Sequence, residues 1–146
     1  MPVAKIYVHE GAFTDERLEK IGAAVQAALE EILNVPAEDY YRVFHVLPKG
    51  RFVHTPGFLG LTYSNEFILL EVTFIVSRPK EIRLALLQAF NEKVVAAVGI
   101  SPHDLLINIY EIPGENISFG RGLAQRAHIS AGQPTELPGT FERTHK

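Results

Sequence analysis

Two βαβ units, joined in a four-stranded mixed sheet with two helices on one face, form the α/β (α+β) fold that this sequence predicts. Three observations predict it. Apolar patterns alternate as strand–helix–strand and then strand–helix–strand again. The halves repeat at a constant offset: Asn34-Val35, Asp39 and Pro48 recur 65 residues later as Gly99-Ile100, Asp104 and Pro113. The length of 146 residues suits one domain with a substantial core. The predicted domain covers 2–128, with pseudo-repeat halves 2–48 and 67–113, and the tail 129–146 is expected to be flexible or ordered by a partner.

Residues 3–9 read as a strand, with Ile6, Tyr7 and Val8 typical strand formers. Thr14 offers an N-cap hydroxyl, and Asp15 and Glu16 suit the positive first turn of a helix. Leu18, Ile21, Val25, Leu29 and Ile32 give that helix one apolar face. Asn34 suits a left-handed C-terminal residue, and Pro36 stops continuation. Residues 40–47 form the second predicted strand, and 48–66, with Gly50, Gly57, Gly60, Pro48 and Pro56, a loop. Residues 67–76 are a long third strand with apolar residues on both phases of its alternation. A strand with one wet face alternates cleanly, so another subunit is expected to cover the face that the helices leave open. Arg78-Pro79 opens the second helix, with Pro79 placed at the first helical position. Ile82, Leu86, Phe90, Val94 and Val98 form its apolar stripe before Gly99 ends it, and residues 105–112 are the fourth strand.

Composition narrows the function. Apolar residues make up 47% and charged residues 21%, the mix of a folded globular chain. A net charge of −3 disfavours nucleic acid or an anionic membrane as the main partner. The apolar run 67–76 is too short to span a bilayer. No cysteine is present, which excludes thiol nucleophiles and thiolate metal sites. His9, His54 and His103 show no ligand spacing, so no metal is expected. The start, MPVAKIYVHEGAF, lacks the apolar core of a secretory signal, and the expected location is the cytoplasm.

Arg78 and Lys80 flank Pro79 where a helix begins. Cations there oppose the macrodipole, yet free N–H groups at a helix start attract anions, so the three together suit a carboxylate or phosphate. Pro2 precedes the first strand directly. Initiator methionine is expected to be removed before a small residue, leaving a secondary amine at the terminus. Such amines titrate near ~7.7–8.0 and serve as acid, base or nucleophile at neutral pH. Asp39 and its repeat mate Asp104 sit in turns before strands, and His45 lies mid-strand.

These features coincide in one family. Met-Pro at the start, two βαβ halves, an Arg-Pro-basic motif after the third strand and an aspartate before the second resemble the tautomerase superfamily. VPAED at 35–39, His45, SRPK at 77–80, GISPHD at 99–104 and SFGRG at 118–122 are similar to its malonate semialdehyde decarboxylase members. The resemblance runs from Pro2 to about Gly122. It implies an N-terminal catalytic proline at Pro2, a water-orienting aspartate at Asp39 and a carboxylate-binding arginine at Arg78. It also implies substrate contacts from His45, Lys80, Ile117 and Phe119, a homotrimer with sites near subunit interfaces, and no cofactor. Three positions depart from the decarboxylase pattern. Lys80 replaces a second arginine, Ile117 a tryptophan, and Arg126 an apolar aromatic. Lysine keeps the charge and loses the planar fork. The expected function is therefore keto–enol tautomerisation of a small anionic oxo acid. The alternatives are decarboxylation or hydration of a 3-oxo acid, and a non-catalytic oligomeric binding protein that kept the pocket.

Overall fold

The structure, a computed structural model, describes residues 2–129. Met1 and residues 130–146, and so the expected tail beyond Ile129, lie outside the described residues.

The elements run β1 (Val3–His9), α1 (Asp15–Leu33), β2 (Tyr41–Leu47), β3 (Gly57–Phe58), β4 (Leu61–Thr62), β5 (Ile68–Ile75), α2 (Lys80–Val98) and β6 (Leu105–Ile112). The main sheet has the order β2-β1-β5-β6. β1 pairs parallel with β2, and β5 parallel with β6; β1 and β5 meet antiparallel at the centre. The 65-residue repeat is carried into the elements, since α2 begins and ends 65 residues after α1. An approximate two-fold axis between β1 and β5 relates the halves.

Local chemistry sets the helix ends. The Thr14 hydroxyl accepts the Arg17 N–H at 3.2 Å and caps α1. Asn34 ends α1 at φ 57 and Gly99 ends α2 at φ 72, both left-handed, as the sequence predicts. The start of α2 differs from the prediction. Pro79 has ψ 160 and is the N-cap, with Lys80 the first helical residue. Its carbonyl already accepts from the N–H groups of Ile82 and Arg83 at 3.1 and 3.2 Å. The ring fixes only φ, so ψ stays free to turn the chain out of the helix. A proline has no side-chain acceptor, and α2 therefore lacks the cap that Thr14 gives α1.

Burial follows the strand phases. Ile6, Val8, Ile68, Leu70, Val72 and Phe74 point at the helices and meet Ile21, Val25, Leu29 and Leu33 of α1 and Leu86, Phe90 and Val94 of α2. Each such side chain contributes about 1.5–3 kcal/mol on leaving water. The opposite phase of β5 is Leu69, Glu71, Thr73 and Ile75, half-buried except for buried Ile75, so apolar residues stand on both phases as the sequence predicts, with Glu71 among them on the open face. Tyr110 donates its hydroxyl to Glu71 at 3.1 Å. A hydrogen bond to Glu71, with partial burial second, raises the pKa of Tyr7. His45 stacks on Tyr7 with ring centroids 4.4 Å apart. The predicted loop 48–66 contains the short hairpin β3–β4. Asp104 anchors that loop, its carboxylate accepting the Ser64 N–H at 2.8 Å and hydroxyl at 2.6 Å. Among the described residues no helix is long and apolar enough to cross a membrane.

Candidate active site

The sheet topology gathers most of the predicted residues at one pole. β1 and β2 start there, while β5 and β6 end there. Val3 pairs with Tyr41 on one side and Thr73 on the other, so Pro2 stands beside the entry to β2 and the last residues of β5. Pro2 is buried, and Asp39 is half-buried two residues before β2. The chain leaving β5 passes through Ser77 and Arg78 into α2. Ser77 has φ 97, a backbone region that residues with a side chain rarely adopt and that concentrates at functional sites.

Arg78 is half-buried and Lys80 is exposed on the first turn of α2. The Arg78 guanidinium lies 5.9 Å from the ring centroid of Phe74. Its buried Nε has no hydrogen-bond partner among the described residues. Burial lowers the Arg78 pKa, and the nearby Glu111 charge opposes that shift. A partly desolvated guanidinium with an open donor, beside an uncapped helix start, is arranged to take up an anion.

The segment after β6 supplies an apolar wall. Pro113 leads into a short 3-10 turn at Gly114–Asn116, followed by half-buried Ile117. Phe119 faces Tyr41 across this pole with ring centroids 6.4 Å apart. Gln125 fixes the Phe119 loop by accepting the Phe119 N–H and donating to the Gly120 carbonyl, both at 3.1 Å. Arg126 is buried, at 6% exposure, on this side of the fold. Gly114 has no room for a Cβ, because the Arg126 carbonyl oxygen stands in its place.

Pro2, Asp39, Arg78, Lys80, Ile117 and Phe119 thus belong to one pole. His45 does not. It lies in the second half of β2, opposite Tyr7, on the open face. The other pole carries a cleft of about 260 Å³ lined by Phe52, His54, Phe58, Tyr63, Phe67 and Leu106 among others, and holds none of the predicted site residues. There the His54 ring accepts from His9 across 2.8 Å, because its other nitrogen must donate to the Thr55 carbonyl at 2.9 Å. Among the described residues no three His, Asp or Glu side chains stand together as metal ligands.

Sequence reasoning missed Tyr41, Gln125, Arg83 and Glu111. Arg83 donates to Glu111 at 3.1 Å behind Arg78. A signal for Glu111 was present: Leu105, Ile107, Ile109 and Glu111 share one strand phase, and an acid ends an otherwise apolar row.

The chain is similar to known proteins in sequence and in fold. One family model described as tautomerase enzyme matches residues 39–120, and a second with the same description matches residues 2–58. The chain is 28% identical over 125 residues to the probable tautomerase YusQ of Bacillus subtilis (strain 168), covering 86% of this chain and 98% of that one. Among solved structures it is similar to a malonate semialdehyde decarboxylase with decarboxylase and hydratase activities. That likeness has a TM-score of 0.77 at 26% identity and covers 86% of this chain and 96% of that one. A fused 4-OT solved as a symmetric trimer has the same fold, with a TM-score of 0.70 at 21% identity over 90% of this chain and 99% of that one.

Proposed function

The chain belongs to the tautomerase family, and from that premise we propose that it is an enzyme that tautomerises a small anionic oxo acid through the amine of Pro2. The observation that carries this reading is the meeting, at one pole, of the start of β1 with the uncapped start of α2 and the half-buried Arg78. Arg78 and Lys80 hold the substrate carboxylate. The neutral Pro2 amine takes the enol hydroxyl proton and delivers it to the adjacent carbon, giving the keto form. One proton moves between oxygen and carbon, and the amine returns to its starting state. Ile117 and Phe119 exclude water, and no cofactor is needed.

The pseudo-two-fold axis supports a role for Asp39 beside Pro2. In the second half, Asp104 grips the chain entering β5: its carbonyl accepts the Ile68 N–H at 2.8 Å and its carboxylate binds Ser64. Asp39 occupies the same turn in the first half, its N–H bonded to Pro36 O at 3.0 Å as that of Asp104 is to Ser101 O at 2.9 Å. By this analogy the repeat supports a role for Asp39 toward the chain entering β1, where Pro2 lies. A carboxylate there favours the ammonium form of the amine, whereas two cations and burial favour the neutral form.

The second reading is decarboxylation or hydration of a 3-oxo acid, with cationic Pro2 as acid and Asp39 positioning water. It is favoured by the retained aspartate and the likeness to a decarboxylase, and weakened by Lys80, Ile117 and Arg126. A binding protein that kept the pocket needs no free amine. Proton NMR of phenylpyruvate and of a 3-oxo acid separates the three. Enol-to-keto conversion without carbon dioxide is expected. Carbon dioxide from the 3-oxo acid selects the second reading, and no turnover of either selects the binder.

We also propose a homo-oligomer, with a trimer the expected state, built on the open sheet face. Tyr41, Val43, Leu106 and Tyr110 are exposed there, a row of large apolar and aromatic groups. His45 on that face would then lie at a subunit boundary. Sedimentation at micromolar concentration is expected to show three chains per particle, and a stable monomer would contradict it.

A further inference from the structure

We propose that Glu111 is the resting counter-ion of Arg78, competing with the substrate carboxylate for its guanidinium and so setting substrate affinity. The inference rests on the reading of Arg78 as a carboxylate-binding group. Glu111 ends the helix-facing row of β6 and pairs in register with Phe74. Over that same Phe74 ring lies the Arg78 guanidinium, at 5.9 Å. Arg83 holds one carboxylate oxygen of Glu111 at 3.1 Å. The other oxygen, Oε2, is buried without a hydrogen-bond partner among the described residues, and so are Nε of Arg78 and Nε of Arg83. Buried donors and acceptors left open are costly; Arg83 already gives one N–H to Glu111, whereas the open donor of Arg78 has no carboxylate of its own, and Oε2 offers it one.

The arrangement has two states. Without substrate, Arg78 turns its open N–H toward Oε2. With substrate, it turns to the incoming carboxylate, and Glu111 keeps Arg83 as its partner, so no carboxylate is stranded. Arg83 is committed to Glu111 in both states. The charge of Glu111 already acts on Arg78, opposing the effect of burial. Affinity for an anionic substrate is then lower than the cations alone would give. Glu111 is a positioning residue, acting on substrate through Arg78.

The test compares Glu111→Gln, Arg78→Ala and the double variant, with phenylpyruvate as substrate. Glutamine keeps an oxygen for Arg83 and removes the charge. Glu111→Gln is expected to lower KM by roughly three- to ten-fold, the size of one screened charge interaction, with kcat within about two-fold. In the Arg78→Ala background the same change is expected to leave KM alone. The ¹⁵N signal of Arg78 Nε in ligand-free protein, assigned by its loss in Arg78→Ala, is expected to shift in Glu111→Gln. An Arg78→Ala variant with unchanged KM would remove the carboxylate reading, while the Nε signal would still decide the pairing. An unmoved Nε signal, or a KM that stays level or rises in Glu111→Gln while Arg78→Ala raises it, makes Glu111 a structural partner of Arg83 alone and overturns the inference.

Discussion

Protein that retains Met1 is expected to turn over phenylpyruvate ~10²–10⁴-fold more slowly than protein beginning at Pro2, the range that a positioned general base contributes. The chemistry is simple. With Met1 attached, the nitrogen of Pro2 is a tertiary amide, without a basic lone pair and without a proton to give. With Met1 removed it is a secondary amine. Intact mass reports which form is present, and kcat/KM of the two forms, prepared with and without aminopeptidase treatment, gives the ratio. The burial of Pro2 at the head of a central strand holds this nitrogen in place at little entropic cost. Comparable rates in the two forms would sink the proline mechanism and leave the pocket to the cations.

Arg78→Ala is expected to lower kcat/KM by about ten- to a hundred-fold, and Lys80→Ala by less. Hydrogen bonds to charged groups contribute about 1.5–3 kcal/mol, and a guanidinium can offer a carboxylate two parallel donors. Arg78 is half-buried with an open Nε, whereas Lys80 is exposed and its charge is screened by solvent. Steady-state kinetics of the two variants, with circular dichroism to check the fold, decide the order. Equal activity in Arg78→Ala and the parent protein would take the anion site out of the account.

Much of this fold was legible because its punctuation is local. Thr14, Asn34 and Gly99 set helix ends through one side-chain bond or one left-handed residue, and the structure places those ends where they predict. The repeat carried the topology, since two similar βαβ halves meet through their first strands. Pro79 misled by one position, because its ring constrains φ while ψ decides whether a residue is inside the helix. The hairpin at Gly57–Phe58 and Leu61–Thr62 escaped notice because two-residue strands carry no periodicity. The open sheet face combines apolar residues on the second phase of β5 with Glu71, which accepts the hydroxyl of Tyr110.

Of the site, the sequence placed single residues at element ends, and the sheet register then showed which ends share a pole. That step is non-local: Pro2 and Arg78 come to one pole through the antiparallel pairing of β1 with β5, which neither segment announces. His45 shows the converse, since a matching motif placed it in the site and the register placed it on the open face beside Tyr7. Glu111 and Arg83 were invisible as a pair because 28 residues separate them and only the packing of α2 on β6 joins them.

The central claim is that a neutral Pro2 amine acts as the base, and the pH dependence of kcat/KM for phenylpyruvate between pH 6 and 9 tests it most directly. An amine must lose its proton to serve as a base, so the rate rises with pH through its titration and then levels. Nearby cations and burial favour the neutral form of an amine and a carboxylate favours the charged form, so Arg78 and Lys80 on one side and Asp39 on the other are expected to oppose each other in setting where that titration falls. Asp39→Asn removes the opposing charge and is expected to move the inflection to lower pH. A rising profile with that displacement is the predicted result. A profile that falls from pH 6 to 9, with carbon dioxide released from a 3-oxo acid, would make Pro2 a cationic acid and contradict the account.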